Sequence, residues 1–165
     1  MQRLPDHSAQ PSGARLRRFM HLGVYSQLAR RHVVKAREFI AARGYESTPD
    51  DIRRFRRDLA VRDAGAELQW LSQIPDFYST SECRDLVFHV QEHRLTLAQI
   101  DSFLSESGLH FLGFELDPTL LHQYSMRFND DPAGTNLRNW ARFEAENPDT
   151  FVGMYQFWIQ KPINH

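Results

Sequence analysis

The chain has 165 residues, a net charge of −1 and a single cysteine, Cys83. This length suffices for one domain with a buried core, and one cysteine excludes an intrachain disulfide, which agrees with a reducing compartment. No apolar run reaches the roughly 20 residues of a membrane helix, and the first 18 residues lack the apolar segment of a secretory signal. We therefore expect a cytoplasmic protein without a membrane partner.

The charge is divided unevenly along the chain. Residues 1–62 contain 14 Lys and Arg against 6 Asp and Glu, whereas residues 63–165 contain 6 against 15. A basic segment can bind nucleic acid, but Arg-rich helices also carry such charge on their solvated faces. We favour the solvated faces, so a nucleic-acid partner is not expected.

The first part of the chain predicts a strand followed by a helix. Residues 1–18 are polar and aperiodic, so they are expected to be disordered. The short apolar run Phe19–Tyr25 is typical of a strand. An apolar stripe predicts a helix over Ser26–Arg43, and Gly44 suits its C-terminal end.

The middle of the chain is predicted to be mainly helical. A second helix is predicted from Thr48, a good N-cap residue, to Val61. A third helix is predicted over Ala66–Ile74 and stops before Pro75. Residues 76–94 are less regular and indicate a short helix followed by an extended or loop stretch.

The last part of the chain alternates helices and strands. A helix is predicted to begin after Thr96, its N-cap residue, and to end at Gly108. Residues 117–139 form a long polar connection that is helical in part. Three elements then complete the pattern in the order strand, helix and strand: Leu109–Glu115, Leu137–Glu146 and Phe151–Gln160. This alternation predicts an α/β fold.

Five short stretches carry a family resemblance, and they are Leu22–Ser26, Phe77–Ser79, Cys83–His93, Phe111–Glu115 and Asn147–Phe151. In this order they resemble a bacterial group of class I, Rossmann-like S-adenosylmethionine-dependent methyltransferases, whose domain is often joined to tetratricopeptide repeats. The resemblance covers about residues 19–161, which leaves residues 162–165 as a tail.

The resemblance implies a partial methyltransferase-like sheet made of the family's last three strands. Phe19–Tyr25 corresponds to the fifth strand. Leu109–Glu115 and Met154–Lys161 correspond to the sixth and seventh strands, which form a hairpin-like end of the family's sheet. A helical insertion of about residues 45–95 follows the first of these strands.

The family's cofactor residues lie in its first strands, where a glycine-rich turn and an acidic residue hold S-adenosylmethionine. This chain has no two glycines separated by a single residue, and Gly113 and Gly153 are isolated and indicate bends. The resemblance therefore implies the acceptor-side portion of a methyltransferase that neither binds S-adenosylmethionine alone nor catalyses independently. A missing N-terminal half or a companion chain would supply the cofactor site.

Five candidate site residues lie within 16 positions: Tyr78, Arg84, His89, Glu92 and His93. The resemblance implies that segments inserted after the fifth strand cover the acceptor substrate. We expect Tyr78 and Arg84 to bind the acceptor. The two histidines and the glutamate are candidates for removing its proton, because imidazole and carboxylate groups suit that task near neutral pH. The alternative interpretation is that the segment containing these five residues is only a polar loop packed over the end of the sheet.

The stretch His89–His93 also matches the H-x-x-E-H pattern of inverted zinc peptidases. That chemistry requires a helix and a third ligand, for which Cys83, Glu144 or Glu146 could serve. The flanking residues do not form a convincing amphipathic helix. A small zinc hydrolase therefore stays an alternative, and no metal ligands are assigned.

A further alternative is a non-enzymatic binding or regulatory module. Half of a doubly wound sheet would expose the apolar edge of Phe19–Tyr25, and an open edge can pair with a partner or with a second copy. We expect self-association or a need for a companion chain on this ground.

Overall fold

The computed structural model of the protein describes residues 18–61, 66–89 and 92–162. The structure is a mixed α/β fold with one four-stranded sheet. Its strands are β1 (Arg18–Ser26), β2 (Arg94–Leu95), β3 (His110–Phe114) and β4 (Met154–Lys161). Its α-helices are α1 (Arg31–Arg43), α2 (Pro49–Val61), α3 (Ala66–Gln69), α4 (Thr80–Cys83), α5 (Leu97–Glu106), α6 (Pro118–Arg127) and α7 (Leu137–Glu146). Almost all of the expected disordered start and of the expected tail lies outside the described residues.

The sheet has the strand order β2-β1-β4-β3. Strand β4 is antiparallel to both of its neighbours, β1 and β3. Strand β2 is parallel to β1 and pairs with it only at Tyr25 and Ser26. The three predicted strands are thus present, and β2 is an addition, because two residues are too few for an alternating pattern to reveal.

Alternation along β4 places Tyr155, Phe157 and Ile159 on one face of the sheet. Tyr155, Phe157 and Ile159 are buried in a core with residues of α5, α6 and α7, whereas Trp158 on the opposite face is 44% exposed. Trp140 of α7 is fully buried in this core. Helices therefore cover one face of the sheet.

Helix α5 begins as its sequence predicts. The Thr96 side chain accepts a hydrogen bond from the Gln99 amide, and the Gln99 side chain accepts one from the Thr96 amide. This capping box satisfies two amides that the first turn of a helix leaves unpaired. After the helix, Gly108 adopts a φ of 61°, which suits glycine, and β3 follows.

A second apolar core lies among the helices between β1 and β2. It is built around α1 and α2, whose fully buried members include Val33, Ala36, Ile52 and Phe55. The core of this helical cluster includes residues of α1, which precedes the expected start of the insertion near residue 45. The two cores share no residue.

Helix α1 begins at Arg31, five residues later than the sequence predicts. The chain turns directly after β1, where the Ser26 hydroxyl accepts a hydrogen bond from the Ala29 amide and the Ser26 carbonyl accepts one from Arg30. A serine side chain that bonds to a nearby backbone amide competes with helix formation, and this explains the late start.

The other differences concern the shortest elements. The predicted helix Ala66–Ile74 is α-helical only to Gln69 and continues as a 3₁₀ turn. The expected short helix is α4, with Ser79 as its N-cap residue, and it runs into one turn of π-helix over Arg84–Phe88. Strand β4 begins at Met154 and not at Phe151. No helix in the described ranges is long and apolar enough to cross a bilayer.

Candidate functional site

The five sequence candidates do not converge on one pocket. Tyr78 is exposed and donates a hydrogen bond of 2.8 Å from its hydroxyl to the Ser72 carbonyl. Arg84 donates one of 3.0 Å from its Nε to the Ser47 carbonyl. Both therefore hold neighbouring loops.

The two histidines line different cavities. His89 follows the π-helical turn and lines a cavity of about 410 Å³ together with Arg37 and Phe88. His93 lines a separate cavity of about 590 Å³, to whose wall Glu92 also contributes. The two histidines therefore do not share a cavity.

Glu92 is the most constrained of the candidates. Its side chain is only 4% exposed and accepts hydrogen bonds from Arg30 at 2.7 and 3.1 Å and from Arg37 at 2.8 Å. Burial alone would raise the pKa of this carboxyl, but the two guanidinium groups outweigh burial and lower it. A carboxylate held in this way is a poor proton acceptor, because protonation would weaken both ion pairs. Glu92 instead anchors the segment before β2 to the start of α1.

The zinc alternative gains no support from the described residues. Among them, no group of three or more His, Cys, Asp and Glu side chains is placed to hold a metal ion. Burial raises the pKa of the Cys83 thiol, although Arg56 opposes this, so the sulfur favours its neutral form. Glu146, a candidate third ligand, forms an ion pair with Arg127.

A buried polar cluster lies at the carboxyl end of β1. The Ser26 hydroxyl donates a hydrogen bond of 2.7 Å to Glu144, and the Tyr155 hydroxyl lies 2.8 and 2.9 Å from the two Glu144 oxygens. Burial raises the pKa of the Glu144 carboxyl, and the two hydroxyl hydrogen bonds offset only part of that increase. Sequence reasoning missed this cluster, because its members lie on three distant elements.

A cationic cavity opens between α1 and the segment Glu92–Leu95, just beyond the end of β1. It is the 590 Å³ cavity, and its lining is mainly polar or charged: Gln27, Arg31, Val34, Lys35, Glu92, His93, Arg94 and Leu95. Sequence reasoning found Glu92 and His93 but missed the three cationic residues, since nothing local connects α1 with β2. The carboxyl ends of parallel strands are the usual place for ligands in open α/β sheets.

Comparisons with known proteins name no family for this chain. No protein-family model matches it, and no curated protein matches it.

The buried carboxylates at this edge of the sheet fit the ribose of S-adenosylmethionine poorly. Glu92 and Glu144 already bind guanidinium or hydroxyl groups of the protein itself. A Cβ atom on Gly23 would meet the Met154 methyl at 3.1 Å, so this glycine serves strand packing.

Proposed function

We propose that this chain is the acceptor-side portion of an S-adenosylmethionine-dependent methyltransferase, with the cofactor site supplied by another segment or chain. The observation that supports this proposal is the arrangement of β1, β3 and β4. A helical region follows β1, and the last two strands form an antiparallel pair beside it. The same order of elements underlies the resemblance in the sequence.

In this proposal the acceptor enters the cationic cavity, and His93 removes its proton. His93 is exposed at this cavity, and an imidazole can accept a proton near neutral pH. Glu92 keeps the segment in place through its two arginine partners. His89, Tyr78 and Arg84 do not line this cavity. In this proposal they contact the acceptor only if it is large enough to extend beyond the cavity.

The open side of β1 is where a companion segment would add its strands. The Ser26 amide bonds toward β4, to the Gly153 carbonyl, and the next amide, of Gln27, bonds toward β2. Because amide direction alternates along a strand, the amides of His21 and Gly23 point to the side away from β4. Among the described residues, β2 pairs on that side only as far as Tyr25.

The proposal can be tested by restoring a cofactor half. The first half of a methyltransferase of the resembling bacterial group would be fused before Arg18, and S-adenosylmethionine binding would be measured by calorimetry. We expect the fusion to bind S-adenosylmethionine and this chain alone not to bind it. A fusion that unfolds cooperatively but binds no S-adenosylmethionine would contradict the proposal, because the half sheets would then have joined without forming a site.

A non-enzymatic binding module is the second candidate, and a specific observation favours it. Phe19 and Met20 are 54% and 56% exposed beside the open edge of β1. An exposed apolar edge strand is a template for pairing with another chain. This candidate predicts a chain that folds cooperatively by itself and binds through β1, without any gain of S-adenosylmethionine binding in the fusion.

A further inference from the structure

The cationic cavity carries more positive than negative charge. Arg31, Lys35 and Arg94 line it. Glu92 is the acidic residue among the described lining residues. Its charge is neutralised by ion pairs with Arg30 and Arg37, which do not line the cavity. The cavity therefore favours an anionic occupant.

Two of its cations have acidic partners outside the cavity. Arg31 bonds to Asp149, whose side chain is 78% exposed, and Lys35 pairs with Glu38 one helical turn away. The Lys35 pair lies at the surface, where ion pairs are weak. Arg31 is held more firmly, since its Nη1 also donates hydrogen bonds to the Leu28 and Pro148 carbonyls, but its positive charge still faces the cavity.

Arg94 differs from these two cations. It lies on β2, is half-buried, and its guanidinium has no ion-pair or side-chain hydrogen-bond partner in the part of the chain that the structure describes. A guanidinium carries five N–H donors in a planar fork that matches a carboxylate or a phosphate. An anion in the cavity would supply the acceptors that the protein does not.

The start of α1 adds to this preference. This 13-residue helix has no side-chain cap and no acidic residue in its first turn. The partial positive charge at its N-terminus is therefore not compensated by its own side chains. Val34 and Leu95 provide apolar surface beside these charges.

We propose that this cavity binds a small molecule bearing an oxyanion, a carboxylate or a phosphate, through Arg94 with Arg31 and Lys35. The apolar residues of the lining would contact the carbon skeleton of that molecule. The proposal goes beyond methyl transfer and holds whether or not the chain takes part in it.

The test is a titration of the isotopically labelled full chain with inorganic phosphate and, separately, with citrate, at constant ionic strength. Amide and arginine side-chain NMR shifts report binding. We expect saturable shifts in Arg31–Lys35 and His93–Leu95 with at least one of the two probes. The probe that binds more tightly identifies the oxyanion class.

Two variants and one control test the residues. Arg94→Gln should weaken binding about tenfold, since a charge-assisted bidentate contact is lost. Lys35→Gln, on an exposed helix surface, should weaken it about threefold and keeps the test valid if the first variant does not fold. Arg138→Gln removes one charge from α7, outside the cavity, where the side chain is 87% exposed, and should leave binding unchanged. Linear shifts with both probes, no effect of Lys35→Gln, or an equal loss in Arg138→Gln would overturn the proposal.

Discussion

The Ser26 hydroxyl donates a hydrogen bond of 2.7 Å to Glu144, although 118 positions separate the two residues in the chain. Ser26 ends β1, and Glu144 lies on α7 with only 5% of its surface exposed. Tyr155 of β4 bonds to the same carboxyl. The bond therefore ties the first strand to the last helix beneath the edge of the sheet where the candidate site lies.

Glu144 makes stability depend on pH. Burial raises its pKa in the folded state above the ordinary value of 4.5. The folded protein therefore holds this proton more tightly, so the stabilisation is complete below the unfolded pKa and is lost as pH rises through the folded pKa. We expect the free energy of unfolding to fall across that interval in the parent chain.

Glu144→Gln, which cannot ionise, should remove that decrease. Urea unfolding from about pH 4 to pH 8 measures it. Glu106→Gln, at the exposed end of α5, is the matched control and should follow the parent chain. A parent curve that rises across the interval would refute the assignment.

Glu92→Gln should destabilise the fold by up to about 3 kcal/mol, because the Arg30 and Arg37 side chains, which are 12% and 20% exposed, would lose their charged partner. Glu146→Gln is a matched control, since its ion pair with Arg127 is nearly half exposed and is expected to contribute less than about 1 kcal/mol. Chemical denaturation measures both. Equal losses of stability in the two variants would show that the Glu92 ion pairs contribute no more than the exposed Glu146–Arg127 pair.

Stability should also respond to acid through Glu92. Burial alone would raise its pKa, yet Arg30 and Arg37 lower it overall. Its contribution is therefore present above the unfolded pKa and is lost as pH falls through the folded pKa. The Glu92 contribution to the free energy of unfolding thus changes with pH in the opposite direction to that of Glu144. We expect Glu92→Gln to reduce the fall in the free energy of unfolding at acid pH, measured by urea unfolding extended below about pH 4.

Asp131→Ala should cost about 3 kcal/mol. The carboxylate of Asp131 accepts hydrogen bonds from the Tyr124 hydroxyl and from the amides of Thr135 and Asn136, and its loss would leave these buried or half-buried donors unpaired. Asp130→Ala, at the adjacent exposed position, is the control and should change stability by less than about 0.5 kcal/mol. Thermal or urea unfolding of the two variants measures the loss in the free energy of unfolding. Similar losses in Asp131→Ala and Asp130→Ala would contradict the prediction.

His21→Pro should weaken pairing through the open edge of β1. Proline removes an amide that points away from β4, so the β1–β4 ladder keeps its hydrogen bonds. His21→Ala also loses the imidazole and its 3.2 Å contact with Glu115, but it keeps the amide. We expect self-association of the chain, measured by sedimentation velocity, to weaken about tenfold in the proline variant alone. Equal behaviour of the two variants would exclude edge pairing.

Local chemistry explains which elements the sequence predicts well. Thr96 with Gln99 carries all the information that a capping box requires, and the α5 start is confirmed. Helix α7 has its predicted bounds, because Asn136 caps it and its apolar face is regular. Elements that depend on distant partners are different. Strand β2 exists only because Arg94 and Leu95 lie beside the end of β1.

The candidate site shows the same division. Residues close in sequence, such as His89 and His93, suggest a shared role, but the two line different cavities. Glu92, which lies between them in sequence, pairs with Arg30 and Arg37, 62 and 55 positions away. Arg94 has no local partner that would single it out. Long-range ion pairing therefore determines this site, and spacing alone does not encode it.

The two separate apolar cores have a consequence for native-state fluctuations. Ala29 belongs to the core beneath the sheet, and Val33, one helical turn further on, belongs to the core of the helical cluster. Because the two cores share no residue, we expect the helical cluster to open while β1 and β4 stay paired. Amide hydrogens of α2 should then exchange with solvent deuterium at a lower opening free energy than those of β4, so the region over the site is the first to come apart.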